Sequence, residues 1–524
     1  MNYRHVLRQV GLLMLVLGAG MGVIVAIEWM LWAKRGIGEL LGVQAMGVSA
    51  LLAAAVGAAL WLAGRGGRRV EMMNRREAML LVAMSWFIGA AVSALPFWTW
   101  AMIREAGGAG GAGGGEPHIF ESYVACYFEA MSGLTTTGAT VLGDIPALPK
   151  SLLLWRSMTH WLGGLGIVVL FVAVLPMIGV GGKRLFNVEA PGPQQQGVRP
   201  RIKETARILW LIYMGITAAA VASYKLCGLS WFESVCHSFS VVSTGGLSPR
   251  NESIGAYNSV AVDVVSMVFM LLAGVNFGLM FLVVRGRWKA ALKDEELRVY
   301  LVLKFAVIAI VAVNLMGTDL ITTAGHTIYA TALQALRFAG FQTIALHTGT
   351  GFVTSNYDEW PFLSRALIIG LMFIGGCAGS TAGGIKVIRF WIAIKVMLAS
   401  LERAFRPQVV RPLRVSGGIV DDEMKLGALT YCLVILLLVA GGALVIGLFE
   451  THAGGFEIDF LTAATASLST VGNIGPGFNG IGATQNYGWF STPSLALMSL
   501  LMMLGRLEVY AVAVLLLPRF WRGN

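Results

Sequence analysis

Apolar residues in this chain come in long unbroken runs, not in the short alternations of strands or the one-sided stripes of surface helices. Runs of about 20 apolar residues are long enough to cross a bilayer as helices. Ten are read here, at about 8–32, 40–64, 78–103, 151–178, 206–226, 258–284, 299–324, 361–399, 426–449 and 486–518. Two of them, 361–399 and 486–518, are long enough to tilt or break. The first run is too long for a secretory leader and lacks a clear cleavage site, so it is expected to stay as a membrane helix.

Between the runs the polar residues are sorted by sign. Loop 65–76 holds five arginines, among them Arg65 and Arg76, and loops 183–207, 285–298 and 386–425 are likewise rich in Lys and Arg. These loops alternate with others carrying Glu116, Glu121, Glu252, Asp358, Glu450 and Asp459. The positive-inside rule puts the basic loops, and with them both termini, in the cytoplasm. Lys34 and Arg35, in a short outer loop, are the exception.

Four outer loops carry more than a connection. Each has an apolar stretch too short to span, then a Thr/Ser/Gly cluster. They read YFEAMSGLTTTGATVL (127–142), CHSFSVVSTGGLS (236–248), FQTIALHTGTGFVTS (341–355) and ATASLSTVGNIGPG (464–477). Aligning one glycine from each gives Gly138, Gly245, Gly351 and Gly472, spaced by 107, 106 and 121 residues. Gly349 in the third stretch, and Asn473 and Gly475 in the fourth, leave those two registers open. A period this long is a domain-sized unit, not a solenoid repeat. The layout is therefore two leading helices (1–70) and four units of helix, re-entrant hairpin and helix (71–185, 186–290, 291–400 and 401–524). The expected fold is an all-α polytopic membrane protein with the four units around one central pore.

Irregular backbone is tolerated at membrane depth only inside protein or along a water-filled path. Four such segments ringing one axis can replace the water around a dehydrated cation with carbonyl oxygens. Glycine lets the backbone turn its carbonyls inward with no Cβ in the way. Each preceding half-helix presents its partially negative C-terminal end to the centre, which favours a cation.

Composition agrees. The chain is 56% hydrophobic and 13% charged, half the usual charged fraction of a soluble domain, about 25%; its mean hydropathy is +0.72. The net charge of +11 belongs to the membrane-side loops, and no nucleic-acid partner is expected. Cys126, Cys227, Cys236, Cys377 and Cys432 are scattered and form no CxxC, so they read as buried thiols. The segment GGAGGAGGG (107–115) is a flexible loop; no strand precedes it, so it is no dinucleotide fingerprint. The segment 187–201 reads as a cytoplasmic linker. No cofactor bound by the chain itself is implied. Seven histidines are scattered and no catalytic constellation is formed, which argues against an enzyme.

Two further places stand out. The run 361–399 holds six glycines, five of them in IGGCAGSTAGG (374–384). Each costs a helix about 1 kcal/mol relative to alanine, so the helix should break there into a loop. Arg506 lies inside the last run; an ionised residue at that depth is costly and usually functional or paired. Glu508 is a possible partner. Lys386 reads as a snorkelling residue at the cytoplasmic edge, while His160, Glu129 and Arg337 read as core or anchoring groups.

These residues resemble the Trk/Ktr/HKT superfamily of potassium and sodium transport proteins over nearly the whole chain. The resemblance rests on TTTGATVL, WLGGLGIVVL (161–170), STGGLS (243–248), GGCAGSTAGGIKVIR (375–389) and GRLEVYAVAVLLLPRFW (505–521). It implies a potassium-translocating pore in a bacterial inner membrane, with potassium as the transported ion. Carried over, the family filter falls on Thr136, Thr137 and Gly138, Thr244 and Gly245, Thr350 and Gly351, and Val471, Gly472 and Asn473. Glycine at 138, where sodium-preferring plant members have serine, implies potassium. The resemblance also implies gating by the intramembrane loop (Gly376, Gly379, Ser380, Thr381, Gly383, Gly384, Lys386) and by Arg506 below the filter. It further implies a homodimer and a separate cytosolic TrkA-type RCK ring that binds NAD and ATP. The alternative is a sodium- or proton-coupled transporter of a small solute, which would need an inverted repeat; here the hairpins all enter from one side.

Overall fold

The structure, a computed structural model, describes residues 3–31, 37–66, 74–106, 118–173, 198–408, 412–453 and 458–522. The glycine-rich segment 107–115, and most of the linker 187–201, lie outside these residues. The described residues are mainly helical, with two small antiparallel hairpins among them.

The leading helices α1 (Tyr3–Leu31) and α2 (Ile37–Ala63) form a pair through small residues. The Cα of Gly11 lies against Gly57 O, that of Gly57 against Gly11 O, and Gly18 against Ala50 O. Between lipid-facing helices such close backbone approach replaces the missing hydrophobic drive. The first unit is α3 (Arg75–Ala106), the short α4 (Tyr123–Leu134) and α5 (Lys150–Ala173); the second is α6 (Val198–Leu226), the short α7 (Trp231–Val242), and α8 (Val260–Ala273) with α9 (Phe277–Val284). A short α10 (Trp288–Leu292) leads to the third, α11 (Glu295–Leu315), α12 (Ala332–His347), α13 (Phe362–Met372) and α14 (Val387–Phe405). The fourth is α15 (Asp422–Ala453), α16 (Phe460–Gly472), and α17 (Thr492–Arg506) with α18 (Tyr510–Ala513); α19 (Pro518–Trp521) ends the chain.

Five of the described helices are long and apolar enough to cross a membrane, or seven if each bent pair is one span; ten runs were expected. The helix 422–452 has a mean hydropathy of 2.9, yet only 22% of its most apolar window is buried. Leu433, Leu437, Leu444 and Leu448 point outward, a face that suits lipid or another apolar protein surface.

Three of the long runs are broken. The run 361–399 gives way to a loop between Met372 and Val387, as its glycines foretold. The run 486–518 bends by 114° after Arg506. The run 258–284 bends by 102° between Ala273 and Phe277, which its apolar pattern did not suggest; Asn276 caps α9 there, accepting from Gly278 N. A second difference lies at 299–324. The helix stops at Leu315, and Asp319–Ile321 pairs with Thr327–Tyr329 as an outer hairpin. The segment DLITT has the β-branched composition of a strand, which a simple apolar run conceals.

Candidate ion-permeation site

The short helices α4, α7, α12 and α16 have 12, 12, 16 and 13 residues. At 1.5 Å per residue they reach at most about 24 Å, short of a bilayer core of about 30 Å. Their starts are written in polar caps. Ser230 and Glu233 form a capping box on α7, Thr331 and Gln334 on α12, and Asp459 accepts from Leu461 N and Thr462 N on α16.

Their ends are alike in detail. An amide just past each helix reaches back five residues: Thr137 N to Ser132 O (2.9 Å), Gly245 N to Ser240 O (2.8 Å), Thr350 N to Ala345 O (2.9 Å) and Ile474 N to Ser469 O (3.0 Å). Each of these four residues sits between two residues of positive φ. The pairs are Thr136 and Gly138 (53° and 84°), Thr244 and Gly246 (56° and 83°), Gly349 and Gly351 (70° and 67°), and Asn473 and Gly475 (52° and 100°). A non-glycine residue there costs on the order of 1–3 kcal/mol and persists only where its surroundings enforce it.

The four strands close a ring. A side chain on Gly138 would strike Gly245 O; on Gly246, Thr350 O; on Gly351, Ile474 O; and on Gly475, Thr137 O. Each unit thus touches the next and the fourth returns to the first. Glycine is required twice over, by φ and by a neighbour's carbonyl. Gly138, Gly246, Gly351 and Gly475 together line a cavity of about 80 Å³ at the mouth of the ring.

The geometric counterparts of Gly138 are therefore Gly246, Gly351 and Gly475. Alignment by glycine alone chose Gly245 and Gly472, one and three residues away. Gly245 is the middle residue of its strand, and Val471 and Gly472 belong to the last turn of α16. Thr136, Thr244 and Asn473 share the first positive-φ place, and Thr137 and Thr350 the middle one. The signal that finds this register is the residue five before the middle: SGLTTTG, SVVSTGG, ALHTGTG and STVGNIG (132–138, 240–246, 345–351, 469–475) align without a gap.

Behind the first strand lies a buried ion pair. Arg156 Nε is 2.8 Å from Glu129 Oε1. Glu129 also accepts from Thr140 Oγ1 and Val141 N, and Arg156 reaches Ser248 O of the second unit. His160 packs on Gly245, and Arg337 pairs with Asp263 at 2.7 Å, the anchoring role its place suggested.

Beneath the ring lies the glycine-rich loop. Gly379 and Gly384 take positive φ. Cys377 N donates to Gly274 O, and Gly379 O accepts from Phe277 N. Thr381 Oγ1 lies 3.2 Å from Val242 O, at the end of α7, and 3.1 Å from Ala273 O. Ser380 Oγ turns back to Cys377 O. Gly383 lies against Gly472 O, at the end of α16, while Gly376 packs on Gly274 O. The loop of the third unit thus runs from the second unit to the fourth.

Arg506 meets it there. Its side chain is buried, and Nη1 donates to Thr381 O at 2.7 Å. Nε and Nη2 find no partner among the described residues. Glu508 is not its partner: it pairs with Arg389 at 2.6 Å, because the helix breaks and Glu508 and Val509 both take positive φ. Lys386 does not snorkel. It is buried, and its Nζ donates to Ala382 O inside the loop.

A ring of four backbone strands, each at the end of a buried half-helix inside an apolar helical body, defines a polytopic membrane protein of the ion-transport class. The comparisons make the class particular. A family model described as TrkH, cation transport protein, matches residues 120–522. The Trk system potassium uptake protein TrkH of Escherichia coli K12 is 32% identical over 532 residues, covering all of both chains. The TrkG protein of the same strain is 32% identical over 454 residues, 86% of each chain. The crystal structure of the potassium transporter TrkH from Vibrio parahaemolyticus superposes with a TM-score of 0.84 at 28% identity, over the full length of both chains. The chain belongs to the TrkH family of cation transport proteins.

Proposed function

We infer that this chain takes up potassium through the ring of strands 136–138, 244–246, 349–351 and 473–475, gated below by the loop 374–384 and Arg506. The observation that carries this reading is the cyclic closure of four like strands. Their amides are held by bonds to carbonyls of the short helices, and their glycines leave room for nothing but backbone. Such a ring offers oxygen ligands to one dehydrated cation. The relatives' names supply the ion, potassium. The C-terminal ends of four helices add partial negative charge around it. The loop and Arg506 supply the block: a guanidinium held under the ring opposes a cation by charge, and Thr381 and Gly383 fill the path by bulk.

The remaining parts of the reading are a bacterial inner membrane, both termini in the cytoplasm, a homodimer, and regulation by a cytosolic TrkA-type ring that binds NAD or ATP. The alternating basic loops support the orientation. A coupled solute transporter would place one pocket between two inverted halves; the four units here instead repeat one strand geometry around a single ring.

The test is rubidium flux into proteoliposomes holding the purified chain, with potassium, sodium or choline competing. Potassium is expected to compete strongly and sodium weakly, and Gly138→Ser to narrow that gap. No competition by any cation, with a silent substitution, removes the filter reading.

A further inference from the structure

A single carboxyl oxygen bonds both limbs of the loop beneath the ring. Glu296 Oε1 accepts from Ala378 N at 2.7 Å and from Ile388 N at 3.1 Å. Ala378 lies four residues into the loop and Ile388 is the second residue of α14, so one atom ties both limbs together. Glu296 is buried beside them. The backbone ladder between the limbs (Gly375 N to Ile385 O, Ile385 N to Phe373 O, Val387 N to Gly376 O) ends just before these two amides, and the Glu296 carboxyl continues it.

The neighbouring residues face away from the loop. Glu295 Oε1 accepts from Trp391 Nε1 at 2.7 Å and pairs with Lys395, both on α14. Its Oε2 accepts from Ser416 N at 2.8 Å, and its own amide donates to Ser416 Oγ at 3.1 Å. Ser416 Oγ also reaches Asp294. Ser416 and Gly417 form the two-residue turn of the hairpin Arg414–Val415/Gly418–Ile419, both with positive φ, as such a turn requires. The start of α11 therefore grips a hairpin on one side and the blocking loop on the other.

We propose that Glu296 is a positioning residue that latches the loop in its blocking place, and that Glu295 couples this latch to the hairpin 414–419. A force on the hairpin turns the first turn of α11, draws Glu296 from one or both amides, and frees the loop to leave Thr381 and Arg506. The proposal rests on the reading of the loop as a gate, and the test separates the two.

Cys377 supplies the readout, because it is a free, fully buried thiol within the loop. Purified chain in proteoliposomes is treated with a maleimide, and modification of each cysteine is followed by mass spectrometry. Cys126, buried in α4, reports on the rest of the fold. In Glu296→Ala, which removes both bonds, Cys377 is expected to react about tenfold faster, the order for the net loss of two buried hydrogen bonds, while Cys126 stays protected. Glu296→Gln keeps a carbonyl acceptor and should give a smaller rise. Glu295→Ala leaves both amides on Glu296 and should raise Cys377 reactivity less than Glu296→Ala, yet measurably. Rubidium flux is read on the same samples, with Arg506→Ala as the control. Faster Cys377 labelling with unchanged flux, while Arg506→Ala also leaves flux unchanged, keeps the latch and removes the gate. Unchanged labelling of Cys377 in both Glu296 variants overturns the latch. So does an equal rise at Cys126, which makes Glu296 a residue of the general fold. No change in Glu295→Ala overturns the coupling to the hairpin.

Discussion

Above and below the ring, the four units behave differently. In the ring they are near copies: the same five-residue return bond, the same two positive φ values, the same glycine against the next unit's carbonyl. Just below, they part company. Gly163 lies against Leu134 O and Gly505 against Val471 O, each three residues before the middle of its strand, so Gly164 in the first unit corresponds to Arg506 in the fourth. Gly164 packs on Ser243 and Gly274 on Thr348, each the next unit's residue. The first two units therefore place a glycine under the ring, the third its loop, and the fourth an arginine. One ion bound by four equivalent oxygens calls for symmetry. A block needs only one occupant, and three copies of a guanidinium around one axis would repel one another.

The largest effect expected from breaking this comparison is in the ring. Gly475→Ala puts a Cβ into Thr137 O at φ 100°, where no relaxation of a flexible side chain relieves it. Gly246→Ala meets Thr350 O at φ 83°. Both are expected to cut rubidium uptake by about 100-fold or more, the order for two to three kcal/mol of strain. Gly472→Ala has ordinary φ and meets the Ile474 side-chain tip, which can move; uptake should fall far less. Equal losses at 472 and 475 would return the fourth strand to the register read from glycine spacing.

That pair of substitutions marks the boundary of what the residues told in advance. The existence of four units, and the place of each strand to within three residues, followed from short apolar stretches ending in Thr, Ser and Gly. The break at 374–384 followed from glycine's poor helix propensity. The register within the second and fourth strands did not, because glycine also serves the packing of Gly472 and Gly245. The fixed quantity is the amide's bond back to Ser240 O or Ser469 O, a residue singled out only by its five-residue spacing and replaced in the third strand by Ala345. The partner of Arg506 was equally hidden. Two residues apart on a helix, it and Glu508 cannot meet; the bend that sends Glu508 to Arg389 appears only in three dimensions.

Next comes the buried pair behind the first strand, read on stability, which the other three units do not repeat at that place: the residues eight before each middle position are Glu129, His237, Gln342 and Ala466. Glu129→Ala strands Arg156 without its carboxylate, and breaking such a pair costs about 3–5 kcal/mol. Thermal unfolding in detergent should shift downward clearly. Because Arg156 also touches Ser248 O, the order of potassium over sodium should weaken in the protein that remains folded. A lowered melting point with an unchanged cation order would make the pair purely structural.

Below the ring, Arg506→Ala removes the guanidinium that meets the loop at Thr381 O. Basal rubidium flux should rise about tenfold, the order for losing a net favourable charge-assisted bond to Thr381 O. Gly164→Ala, at the corresponding place in the first unit, should do the opposite. Its Cβ would press within 2.8 Å of the Ser243 Cβ and near the Tyr213 hydroxyl, distorting the ring's support. Variants that move flux in the same direction would dissolve the distinction between the first and fourth units below the ring.

The smallest effect concerns the helix starts. Ser230→Ala removes the oxygen that accepts from Glu233 N at 3.2 Å and donates to Glu233 at 2.7 Å. An N-cap of this kind is worth about 1 kcal/mol. Glu233 also holds Arg250, which lines the cavity above the ring. The expected result is a small drop in melting temperature with rubidium competition unchanged, because the ring is held from the other end of α7 by Ser240 O. A changed cation order in Ser230→Ala would mean that the start of the short helix, and not only its end, sets the geometry of the strand.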